Sequence, residues 1–352
     1  MARNEIPALQ YIRGLAATAV VLDHANAMMS FSKYFGFNCG GFWNFGATGV
    51  NIFFIISGFI ITFTSLKYKV GKFEPSMSLK DFALKRFTRI VPIMWIAIAT
   101  YFIGREIGRD STFNFSYIRA FFLIPFGSVE PNNIWTLRHE AIFYSLFALS
   151  LLPLKPKPWI LGVWALSPLA YAVLSLPQSP STPWLQFVRI VTNPCNIEFA
   201  TGVAIGLAWH KWTNSWEISL PLPSGITILA VFALFWTLNY EINVGVDTLY
   251  ACAISSLTGG LIVFLAIHLD CTAGYLERLL SYLGEASFSI YLFHPHFTSA
   301  MLGLWSKHFR ATPAAVVLVG TSVVAVIGAV IIYEYIERPV HRLAFRFLSK
   351  RL

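Results

Sequence analysis

The chain has 352 residues, 56% of them hydrophobic and only 12% charged, with 26 Lys and Arg against 17 Asp and Glu for a formal charge of +9. A soluble domain carries roughly 25% charged residues, so the composition excludes one, and a mean hydropathy of +0.62 points to helices packed in a bilayer. The basic excess would suit nucleic acid or an anionic surface, but it is distributed as membrane topology requires, and no nucleic-acid partner is expected.

Apolar stretches near the 20 residues a span needs recur at 14–30, 46–66, 88–104, 134–153, 159–176, 196–210, 223–239, 248–268, 285–306 and 314–335. The expected fold class is all-α, a polytopic bundle of about ten transmembrane helices forming one integral-membrane domain over 1–352. The stretch 115–127 is apolar but too brief and Pro-bounded to count. With the N-terminus inside, inward segments hold 18 Lys or Arg, outward loops hold seven, and Arg138 lies within a span. The positive-inside rule therefore puts both termini in the cytoplasm. The cluster "KYKVGKFEPSMSLKDFALKRFTR" between spans two and three and the closing "RPVHRLAFRFLSKRL" are read as cytoplasmic. The Pro-rich pieces "LPLKPKPW" and "LPQSPSTPW" read as turns between helices.

The first span, in "QYIRGLAATAVVLDHANAM", is preceded by Arg3 and Arg13 and followed by a small-residue "ANA", as a cleaved signal would be. Asp23 and His24 interrupt the apolar core a signal needs, so the span is read as retained. Arg13 and His24 are eleven residues, about three turns, apart and share a face roughly 16 Å along the axis. Arg13 falls at the cytoplasmic entrance and His24 near mid-membrane. Asp23 projects about 100° away from His24 and is read as a separate interhelical contact.

The second span, "VNIFFIISGFIITF", places Asn51 and Ser57 among bulky apolar residues, where they serve close packing or touch a substrate. Arg86 and Arg89 in "LKRFTRI" share one face at the start of span three. They are either topology anchors or a grip on phosphate, since each guanidinium forks onto two oxygens. In the fourth span, "NNIWTLRHEAIFYSLFALSLLPL", Glu140 lies roughly 9 Å below the outer end, at a depth similar to that of His24. A carboxylate that met this imidazole would fix its tautomer and stabilise the imidazolium formed on proton removal from a hydroxyl; the alternative is a purely structural bond. In the ninth span, "SFSIYLFHPHF" brings His294 and His296 to similar depth around Pro295, which is expected to open the helix and imply a cavity. Cys39, Cys195, Cys252 and Cys271 have no CxxC spacing, so no metal is expected. Cys39 and Cys195 fall on the outer side, where a disulfide can form; unpaired apolar cysteines are the other reading.

Six motifs in order carry a resemblance: "RGLAATAVVLDH", "FFIISGF" at 53–59, "RFTR" at 86–89, "WTLRHEAIFY" at 135–144, "SFSIYLFHP" at 287–295 and "YIERP" at 335–339. Together, within 11–339, they are similar to those of the membrane-bound acyltransferase 3 family. Within it the chain resembles rhizobial exopolysaccharide acetyltransferases that lack an appended hydrolase-like domain. The resemblance implies a bacterial inner-membrane O-acyltransferase that moves acetyl from cytoplasmic acetyl-CoA to a saccharide or lipid-linked saccharide. Arg13 and His24 would be essential, and Arg86 and Arg89 associated with the coenzyme. On this reading His24 and Glu140 are the catalytic pair, Arg13, Arg86 and Arg89 bind the donor, and Asn51, Ser57, Trp135, His139, Tyr144 and His294 are substrate-pocket candidates. Arg138 and His139 depart from the small or aliphatic residues family members often place before the glutamate, leaving open whether His139 or His24 partners Glu140.

Two rival classes use the same polar residues. A transporter would make them a proton or substrate pathway, but no inverted repeat is visible. A metalloenzyme would draw on His24, His139, His294, His296 and Glu140, but no HExxH or comparable pair occurs.

Overall fold

The computed structural model of the chain describes residues 6–46, 48–108, 114–152, 158–177, 180–212, 223–242, 248–271 and 274–351. In chain order the helices are α1 (Pro7–Met29), α2 (Thr48–Ser65), α3 (Leu79–Gly108), α4 (Phe115–Phe121), α5 (Trp135–Ser150), α6 (Pro158–Val173), α7 (Pro183–Val191) and α8 (Asn196–Trp212). They continue as α9 (Ser224–Ile242), α10 (Leu249–His268), α11 (Tyr275–Glu285), α12 (Ser287–His308), α13 (Ala314–Ile332) and α14 (Arg338–Arg351), with a π-helical turn at Tyr333–Glu337. The all-α class holds, with one small addition: β1 (Leu66–Lys69) and β2 (Lys72–Pro75) form an antiparallel hairpin in the basic segment after α2. Its two central residues, Val70 and Gly71, both take positive φ, which the primed turns of two-residue hairpins require and which suits Gly71 better than Val70.

Each of the ten apolar segments lies on a helix, in order α1, α2, α3, α5, α6, α8, α9, α10, α12 and α13. Among the described residues, four helical stretches are long and apolar enough to cross a membrane: Gly41–Ser65, Leu79–Ile107, Leu249–His268 and Ala314–Ser349. Two further helices, α1 and α12, are long enough at 23 and 22 residues but are diluted by Arg13, Asp23 and His24 in one and by three histidines and Pro295 in the other. The polar side chains in these two helices include the candidate residues Arg13, His24 and His294. Arg3 and most of the "LPLKPKPW" turn fall outside the described residues, as do residues 178 and 179 of the second Pro-rich turn.

The chain divides into two compact units. The first comprises 1–56, 216–246 and 254–336. In it α1 lies against α9, α11, α12 and α13. Helices α1 and α11 approach at Gly14 and Gly284, where a Cβ on Gly284 would collide with the Gln10 carbonyl, so both positions must stay bare. At the other end of α1, Ala25 and Met29 pack with Tyr34, Phe35, Leu302, Val317 and Leu318.

The second unit comprises 57–215, 247–253 and 337–352. Here α3 packs on α4, α5 and α14, while α5 reaches α6 and α7, and α6 lies on α8. Stacked rings of Phe143, Trp164 and Phe199 fill the seam between α5, α6 and α8. Arg138, flagged by its position inside a span, donates to the carbonyls of Ile124 at 3.0 Å and Gly127 at 2.9 Å. It thereby ties down the loop between α4 and α5, whose backbone would otherwise be unsatisfied.

The expected opening at Pro295 does not occur: α12 is continuous from Ser287 to His308. Proline removes one backbone donor, but the neighbouring His294 turns its Nδ1 back onto the Ile290 carbonyl at 3.1 Å. The side chain thus supplies local hydrogen bonding within the proline-containing turns, and the helix holds.

Candidate active site

In the first unit α1 and α12 bring His24 and His294 together, with ring centroids 4.8 Å apart and planes inclined by 60°. Each imidazole is anchored to its own helix. His24 Nδ1 lies 2.9 Å from the Val20 carbonyl, four residues back, as His294 Nδ1 lies on Ile290. A carbonyl can only accept, so Nδ1 carries the hydrogen in both rings and Nε2 holds the free lone pair. His294 is fully buried and its Nε2 has no hydrogen-bond partner. The side chain of His24 is 37% exposed, so its Nε2 is the more reachable of the two. Asp23 stands 3.8 Å from His24 Nδ1, beyond hydrogen-bond range.

Around this pair, Tyr291 approaches His294 and Phe53 of α2, with ring centroids 6.1 and 6.2 Å away. Asn51, buried, donates to Ser255 at 3.0 Å and keeps its Oδ1 unsatisfied. Arg13, at the opposite end of α1 from His24, donates to Gln10 at 3.0 Å.

In the second unit Glu140 is the hub. It accepts from Ser57 Oγ at 2.6 Å and from the Tyr144 hydroxyl one turn along α5. Ser57 and Tyr144 are themselves 3.3 Å apart, so the three close a ring of polar groups. The Arg86 guanidinium stands over the Tyr144 and Phe82 rings at 5.8 and 5.7 Å, with Nη2 3.5 Å from Thr64. His139, adjacent in sequence to Glu140, points elsewhere: it is buried with its ring edge-on to Trp135 at 5.4 Å.

The two arginines of "RFTR" have different fates. Arg86 meets aromatic faces, whereas Arg89 Nη1 forms a 2.7 Å ion pair with Glu337, whose side chain is only 2% exposed. Glu337 is the glutamate of the "YIERP" motif, and the sequence reading gave it no role.

The family scan matches residues 6–334 to the acyltransferase domain of the acyltransferase 3 family. The chain belongs to this family. Among characterised sequences it is 30% identical over 327 residues to the exopolysaccharide production protein ExoZ of Rhizobium meliloti, covering 86% of this chain and 92% of that protein. It is 25% identical to the putative peptidoglycan O-acetyltransferase YrhL of Bacillus subtilis and 24% identical to the peptidoglycan O-acetyltransferase OatA of Listeria monocytogenes. These alignments cover 99% and 97% of this chain but only 56% and 57% of the two relatives. No solved structure matches the chain.

An acyltransferase has a use for a group able to take a proton or to carry an acyl group. His24, with Nδ1 pinned and Nε2 free, has the right form for either role. Sequence reasoning missed two side-chain groupings. One is the Arg89–Glu337 pair, for which the "YIERP" motif was the available signal. The other is Asn26, which donates to Gly40 and Asn44 and accepts from the Cys39 N–H, pinning the segment after α1.

Proposed function

We propose that this acyltransferase moves an acetyl group from cytoplasmic acetyl-CoA to a hydroxyl of a saccharide in a cell-surface or exported polysaccharide or glycolipid. In this reading ten helices cross the bacterial inner membrane as one catalytic domain, with both termini in the cytoplasm. The names of the relatives support acetyl transfer to polysaccharide or peptidoglycan.

The observation that carries the mechanism is the orientation of His24, since an imidazole held through Nδ1 presents Nε2 as base or nucleophile. His24 removes the proton from the acceptor hydroxyl as it attacks the thioester, or first takes the acetyl group as an acyl-imidazole. Either way the coenzyme leaves as its thiol. Glu140 is the second catalytic residue of this reading, and its Ser57 and Tyr144 bonds hold its carboxylate in place. Arg13, Arg86 and Arg89 are the residues this reading assigns to the coenzyme phosphates. Trp135, His139 and His294 are its substrate-pocket candidates.

The test is transfer of radiolabel from acetyl-CoA to an exported polysaccharide by purified protein in liposomes. Label should appear in the glycan and be released by mild base, as an O-ester is. Proton or solute flux without label transfer would replace this reading with transport.

A further inference from the structure

The second unit contains a cluster that the acyl-transfer chemistry does not use. Cys195 immediately precedes α8, Glu198 lies in its first turn, and Cys252 lies in the first turn of α10. All three are buried, and Cys195, Glu198 and Cys252 each have no exposed surface. One ligand atom from each lies within 4.8 Å of the other two, and the two sulfurs are 4.0 Å apart. Both oxygens of Glu198 are buried, and the Cys252 thiol is the group beside its carboxyl. The Cys195 backbone is itself fixed, because its N–H donates to Asn193 Oδ1 at 2.9 Å.

From these positions we propose a metal site at Cys195, Glu198 and Cys252 for a borderline-soft divalent cation of the zinc type. Three observations converge on it. Two thiolates and a carboxylate are a donor set such an ion accepts, with ion-to-sulfur distances near 2.3 Å and ion-to-oxygen distances near 2.1 Å. Two sulfurs on a tetrahedral ion stand roughly 3.8 Å apart by that geometry, close to the spacing found here. The buried carboxyl is the third, since carrying a charge there is costly and a bound cation is what would offset it. A disulfide between Cys195 and Cys252 would consume the sulfurs but leave Glu198 unanswered.

On binding, the thiols release their protons to solvent and the ion joins the start of α8 to the start of α10, bridging cysteines 57 positions apart in the chain. The ion then acts as a clamp on the second unit rather than as a participant in acyl transfer. Sequence spacing could not reveal it, because only Cys195 and Glu198 are neighbours, three apart on one helical face.

The full-length protein, purified in detergent under reducing conditions and loaded with zinc alone, should retain about one equivalent by elemental analysis after exhaustive dialysis. Cobalt(II) loaded in its place should show thiolate-to-cobalt charge-transfer absorption. Both signals should be lost in Glu198→Gln and in Cys195→Ser combined with Cys252→Ser, and kept in Cys39→Ser. A strong chelator should lower the thermal midpoint of the unaltered protein, which keeps the test independent of whether the variants fold. Retention of no zinc by the unaltered protein, an unchanged zinc content in the variants, or a Cys195–Cys252 disulfide found by alkylation and mass spectrometry would each overturn the site.

Discussion

The histidine pair and the glutamate ring are both polar groups set among apolar helices, yet folding leaves them in opposite conditions. His24 and His294 each spend one nitrogen on a carbonyl four residues back in their own helix and keep the other in reserve. Glu140 instead draws on Ser57 from α2 and Tyr144 from α5. The first arrangement leaves a lone pair unspent and suits proton or acyl chemistry; the second fixes a charge and suits orientation and electrostatic support. A buried polar group left incomplete is costly, so an unspent one is a mark of function, whereas a completed network is equally a mark of structure.

The sharpest way to break this contrast is His24→Ala. It should insert and fold normally, since only a bond within its own helix is lost, yet acyl transfer should fall by about a thousandfold or more. Normal turnover by a well-expressed His24→Ala protein would end the assignment. Glu140→Gln should cut kcat by roughly a hundredfold and leave the KM for acetyl-CoA within about threefold, because an amide keeps the hydrogen bonding and loses the charge. An effect confined to KM would move Glu140 to the donor site.

The two arginines sharpen the comparison from the donor side. Arg86→Lys should raise the acetyl-CoA KM by about tenfold, or roughly 1.4 kcal/mol, because an ammonium cannot fork onto two phosphate oxygens. Arg89→Lys should change it by less than about threefold, since lysine can still pair with Glu337 as a point charge. Equal effects in correctly inserted proteins would mean that both contact the coenzyme, and no effect in either would leave them as topology anchors. The smallest change is expected for Ser57→Ala, about three- to fivefold in kcat, near 1 kcal/mol, because Tyr144 still donates to Glu140. Ser57→Ala combined with Tyr144→Phe should cost more than the sum of the two, as members of one network do.

Much of this was legible beforehand. Depth counting along helices put His24 and His294 at one level, and they meet. It also flagged Arg86 and Arg89 as a pair on one face, but could not show that Arg89 would be engaged by Glu337, 248 residues away. Cys39 and Cys195 shared a side of the membrane on paper, whereas the near neighbour of the Cys195 sulfur is Cys252. Pro295 read as a break because the rule about its missing N–H says nothing of the histidine beside it, which supplies a local hydrogen bond of its own.

The sequence by itself determined the helices, the apolar character that suits them to a membrane, the family, and the local geometry that frees Nε2 of His24. Those properties follow from composition, from motif order and from a helical repeat that joins residues only three or four apart. The tertiary structure alone decided that Glu140 is held by Ser57 and Tyr144, that Arg89 meets Glu337, and that Cys195, Glu198 and Cys252 converge. All three groupings join residues more than fifty positions apart on different elements: 83 for Ser57 and Glu140, 248 for Arg89 and Glu337, and 57 for Cys195 and Cys252. Which of several compatible faces pack together depends on how close two helices can come, set by glycines such as Gly14 and Gly284, and on filling the space between them. No period along the chain encodes that choice, because it is a property of pairs of helices and not of either one.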